Sequence, residues 1–204
     1  MVNGRVCIGF SHPTVGLYSC TGGKVTYTDG RRLARGVSVS TDTEYADDNT
    51  FYADNAAAET AEGEFVGGTA SVEVDGLLME AERMVYGLPE PEEVAYGETK
   101  VQVTRYGKLQ PPYVGFGYIK MWRSGGVDSY EVLLLTKVKF APHGEDAKTK
   151  KKDINWQTQE LEAAMHVDDT AHHDYMLSLG EYASEAEALA VLDAVLAVAA
   201  AEET

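Results

Sequence analysis

The chain has 204 residues, 44% of them hydrophobic, enough for one sizeable core and read here as a single domain over residues 1–204. Thirty-three acidic residues against seventeen basic ones leave a formal charge of −16, which excludes a tight grip on nucleic acid, because phosphate binding depends on Lys and Arg displacing counterions. No apolar run approaches the ~20 residues a bilayer span needs, Met1-Val-Asn-Gly-Arg5 lacks the pattern of a signal peptide, and Cys7 and Cys20 are read as free thiols of a cytosolic product.

In chain order, Val6–Phe10, Lys24–Thr28 and Gly36–Ser40 are short, rich in β-branched or aromatic residues and separated by turn residues, a pattern that predicts a meander of strands. From Thr41 to Glu82 there are twelve Asp or Glu and no Lys or Arg. Such a run is either a solvated face or, being long and wholly unpaired, an interaction segment. Val72 and Val74 alternate with Ser71, Glu73 and Asp75, the period of a half-buried strand. A first helix is predicted from about Leu77 to Tyr86, with Leu77, Ala81, Met84 and Leu88 at helical spacing, Asp75 as cap and Gly87 as stop.

The strongest hairpin signal spans Tyr113 to Phe140. Val114, Phe116, Tyr118 and Trp122 fall on one face and, after Ser124-Gly125-Gly126, so do Tyr130, Val132, Leu134, Val138 and Phe140. Phe116, Trp122, Leu134 and Phe140 are thus expected to hold the core. Leu133 and Leu135 fall with Glu131, Lys137 and Lys139 on the other side, expected to be at most partly covered. A polar connection over 141–152 contains the only concentrated basic stretch, Lys148, Lys150, Lys151 and Lys152. Ser184 and Glu187 form a capping box ahead of Leu189, Leu192 and Leu196, which predicts a second helix at about 184–200. The fold class that follows is mainly β: two packed antiparallel sheets, sandwich or barrel, with a short flanking helix and a C-terminal helix.

Motif chemistry is sparse. There is no Gly-x-Gly-x-x-Gly, P-loop, His-Glu-x-x-His, Cys-x-x-Cys or Gly-x-Ser-x-Gly, so no catalytic, cofactor-binding or metal-binding residue is assigned. His166, Asp168, Asp169, His172, His173 and Asp174 could supply divalent-metal ligands, but their string falls where a polar turn between strands belongs, and no role is assigned to His166, His172 or His173. Asp42 to Asp48 lacks the Gly and the bidentate Glu of a calcium loop.

The segment Gly36 to Ala56, above all Phe51-Tyr-Ala-Asp-Asn55, followed by Gly67 to Leu77, resembles the major tail proteins of long-tailed phages that infect Gram-positive hosts. A second match follows in order: a hairpin leading to Gly144-Glu-Asp-Ala-Lys-Thr-Lys150, then Asp153-Ile-Asn-Trp-Gln-Thr-Gln159, then a terminal helix. His172-His173 and the alanine-rich tail after Val195 depart from the pattern. The resemblance implies a structural virion protein and not an enzyme, whose six-membered rings stack into a hollow tube, assembled in the host cytoplasm and found in the virion tail. Its partners would be itself and other tail proteins at the tube ends, with DNA passing the lumen without specific binding and with no cofactor or membrane involved. The acidic hairpin at about 41–65 would be an inter-subunit arm, carrying Asp42, Glu44, Asp47, Asp48, Phe51, Tyr52, Asp54, Asn55, Glu59 and Glu62, its tip ordered only on assembly. Lys148, Lys150, Lys151 and Lys152 would form a basic contact loop for that arm. A baseplate or tail-terminator subunit, a non-viral β-sandwich binding module and a small metal-dependent hydrolase are the competing readings.

Overall fold

The computed structural model describes residues 4–142, 144 and 157–199. Its strands are β1 (Val6–Thr21), β2 (Lys24–Arg32), β3 (Gly36–Tyr45), β4 (Asn49–Ala53), β5 (Ala56–Ala61), β6 (Phe65–Val74), β7 (Glu92–Tyr96), β8 (Thr99–Val103), β9 (Val114–Ser124), β10 (Val127–Phe140), β11 (Gln159–His166) and β12 (Met176–Tyr182), with helices α1 (Met79–Tyr86) and α2 (Glu185–Leu196). Gly22-Gly23 and Gly125-Gly126 all have positive φ and close two-residue hairpins, the geometry that matches strand twist and that glycine adopts without a Cβ penalty.

Eight strands form one antiparallel sheet in the order β2-β1-β9-β10-β11-β6-β3, with β12 also paired to β10. The fold is mainly β and sandwich-like, as the strand pattern predicts, but its two layers belong to one hydrogen-bonded sheet that folds over through β10. That strand pairs with β12 over Tyr130–Leu135 and with β11 over Lys137–Phe140. The meander expectation holds only for β1 and β2. Strand β3 crosses to the opposite edge and pairs with β6.

The main core lies between the layers. Val72 and Val74 of β6 and Leu161 and Met165 of β11 pack with Val114, Phe116, Leu135, Val138 and Phe140, and with Ala81, Met84 and Val85 of α1. Between Leu135 and Val138 the register with β9 slips by one residue, since Leu135 faces Phe116 but Val138 faces Val114. Such a bulge reverses which side chains point inward. Leu133 and Leu135 face the core before it, Val138 and Phe140 after it. The strict two-residue period had instead grouped Tyr130, Val132 and Leu134 with Val138 and Phe140. Val132, Leu134 and Ile119 turn to the other face and are buried under Ala188, Leu192 and Leu196 of α2, so over residues 132–135 both faces of β10 are covered, the Leu133 and Leu135 side included.

Trp122 is also displaced from its expected place. It is partly exposed at the end of the sheet, its Nε1 donating to Glu131 Oε2 (2.8 Å) and its ring lying under the Arg5 guanidinium (4.2 Å from the centroid).

Helix α1 ends on Gly87 in the left-handed region, as predicted. Its N-terminus has no side-chain cap: Leu78 occupies that position, and Asp75 accepts instead from the Arg35 backbone N–H (3.0 Å) and pairs with the Arg35 guanidinium. Helix α2 keeps its predicted cap, Ser184 Oγ accepting from Glu187 N–H (3.3 Å). Ser184→Ala is expected to cost ~1 kcal/mol. In thermal unfolding followed by circular dichroism this corresponds to a fall of roughly 2–4 °C for a domain of this size. Beyond α2, Ala197 turns left-handed and its carbonyl accepts from Gly30 N–H (3.0 Å). A Cβ at Gly30 would lie 2.4 Å from the Leu196 carbonyl oxygen, so this docking requires glycine.

Candidate functional site

The acidic run divides into parts with different surroundings. Thr41–Tyr45 belongs to β3 and is paired along β6, Glu44 opposite Gly67 and Tyr45 opposite Phe65. On this strand Asp42 shares a face with Ser38 and Ser40. The register places Ser71 and Glu73 of β6, then Glu160 and Glu162 of β11, beside them. Ser38 Oγ donates to Glu73 (3.0 Å) and Ser71 Oγ to Glu160 (2.6 Å), so this outward sheet face consists of hydroxyls and carboxylates.

The projecting part begins at a narrow neck. Ala46 N–H donates to the Glu64 carbonyl (2.8 Å), and Gly63 N–H donates to Asp48 Oδ1 (2.9 Å). A Cβ at Gly63 would meet the Ala46 carbonyl oxygen at 1.6 Å, so the two chains cross there in backbone contact. Below the neck Phe65 stacks on Tyr175 (4.2 Å between centroids, 8° between planes) and Tyr45 packs edge-on to Phe65, which anchors the ribbon to the sandwich.

Beyond the neck, β4 and β5 form a two-stranded ribbon that turns at Asp54-Asn55, both with positive φ, a conformation that Asp and Asn tolerate better than most residues. The Ala53–Ala61 tip, read as ordered only on assembly, carries the Asp54-Asn55 turn and β5, none of whose side chains is buried. Phe51 and Tyr52 are 64% and 66% exposed. The arm residues are therefore only partly brought together. Asp54, Asn55 and Glu59 lie on the ribbon with Phe51 and Tyr52, Asp47, Asp48 and Glu62 lie at its neck, and Asp42 and Glu44 stay on the sandwich. None of these carboxylates is in an ion pair among the described residues, in contrast to Asp169 with Lys137 (2.7 Å) and Glu181 with Arg5 (2.9 Å). Lys148, Lys150, Lys151 and Lys152 lie outside the described residues, and so does most of the second stretch of family resemblance.

A second ribbon, β7 with β8, escaped the sequence reading. Its signal was present in Val94 and Tyr96 against Thr99 and Val101 around Gly97, between Pro91 and Pro111. Tyr96 at its turn is 66% exposed.

The histidine-rich string is the turn between β11 and β12. Buried Asp168 accepts from Thr170 N–H (3.0 Å) and Thr170 Oγ1 (2.6 Å), and Asp169 is held by Lys137 Nζ and the Tyr18 hydroxyl (2.9 Å). The hydrogen bonds from Lys137 and Tyr18 keep the Asp169 carboxyl below its usual range, and burial pushes the Tyr18 phenol up to about 12. These carboxylates are occupied in folding the turn, and no group of three or more potential metal ligands converges among the described residues.

His166 stands edge-on to Tyr113 (5.4 Å), and burial, then Lys137 and Lys139, lower its pKa. Its ring is expected to titrate below 6.5, followed by NMR of the imidazole protons. Because the unfolded chain binds this proton more readily, the group's contribution to stability is complete above 6.5 and is lost as the pH falls through the folded-state value. His166→Gln should flatten that acid-side decline, and an imidazole midpoint at or above 6.5 would contradict the burial argument.

No helix among the described residues is long and apolar enough to cross a membrane. No protein-family model matches the chain, and no curated protein matches its sequence.

Proposed function

We propose that this chain is the major subunit of a phage tail tube, closing into six-membered rings that stack into the conduit for DNA ejection, assembled in the host cytoplasm and carried in the virion tail. The observation that carries this reading is the ribbon beyond the Ala46–Glu64 neck, which presents Phe51 and Tyr52 to solvent among carboxylates that form no ion pair with the described residues and has no buried side chain. An isolated two-stranded ribbon is marginally stable in water, and exposed aromatic side chains on it are accounted for by contact with another molecule. The sandwich that bears it agrees with the fold that the sequence resemblance implies.

The hydroxyl and carboxylate face of β3, β6 and β11 supports the same reading, since a lumen of that chemistry repels DNA and leaves its passage free of adhesive contacts. The contact proposed for Lys148, Lys150, Lys151 and Lys152 rests on the sequence alone. Electron microscopy of the purified, concentrated protein tests the reading. Long hollow tubes or stacked rings are expected. Single closed rings that never stack would favour a terminator or baseplate subunit, and particles that remain monomeric at high concentration would remove the tube altogether.

A further inference from the structure

We draw no further inference here: the strongest candidate, the surface hollow lined by Arg31, Arg32, Leu78, Met79 and Val198 between the end of β2 and the start of α1, has its arginines already paired with Asp29, Glu80 and Asp193, and nothing in the structure shows what covers the exposed Leu78 and Met79.

Discussion

Deleting Asp48–Glu62 is expected to leave a folded, soluble protein that forms no tubes. The excised ribbon contributes no buried side chain, and the contacts that anchor its neck, Tyr45 with Phe65 and Phe65 with Tyr175, lie below the cut. The deletion joins Asp47 to Gly63 between Ala46 and Glu64, whose backbone hydrogen bond (2.8 Å) already closes the strand pair. Asp-Gly is a favoured two-residue hairpin turn, so β3 and β6 would be reconnected by a loop suited to their twist. Unfolding by circular dichroism should change little, while electron micrographs should lose tubes entirely. Long tubes from the deletion variant would show that the ribbon has no part in assembly.

The largest effect on stability is expected at Phe140. It is 1% exposed, packs edge-on to the fully buried Phe116 (6.1 Å, 89°) and sits opposite Ala163 just past the bulge, where the sheet folds over. Phe140→Ala removes this filling from the main core and should cost ~3–5 kcal/mol, cavity included. Against a total of about 5–15 kcal/mol for a typical domain, that is a large share of the stability. Trp122→Ala should cost less, ~1–2 kcal/mol, because the indole is partly exposed and loses mainly one hydrogen bond to Glu131 and its contact with Arg5. Denaturant titration compares the two. Equal midpoints for both variants would place Trp122 in the core after all.

Several features were readable from local chemistry alone. Gly22-Gly23 and Gly125-Gly126 announce tight turns, Ser184 and Glu187 announce the start of α2, and Gly87 announces the end of α1, because each acts on backbone groups within a few residues of itself. The alternation through Val72 and Val74 and the apolar content of Val114–Phe140 identified the strands that build the core. The unbroken acidic run likewise marked the segment that contains the projecting ribbon, since charge with no basic neighbour in sequence seldom belongs to a core.

What the sequence left open depended on residues far apart in the chain. The pairing of β3 with β6 instead of β2 sets where the ribbon leaves the sandwich, and it brings Val39 opposite Val72 at the core. Asp75 was a plausible helix cap until the fold brought Arg35 to it, forty residues away in sequence. The bulge between Leu135 and Val138 arises from the register with β9 and β11, and that one added residue turns Leu133 and Leu135 into the core and gives Val132 and Leu134 to α2. Likewise Arg31 and Arg32 of β2, Leu78 and Met79 before and within α1, and Val198 after α2 line one surface hollow only once the sheet has closed. Local propensity is settled within a few residues, but which faces are buried is settled by the partner strand or helix, which no local pattern records.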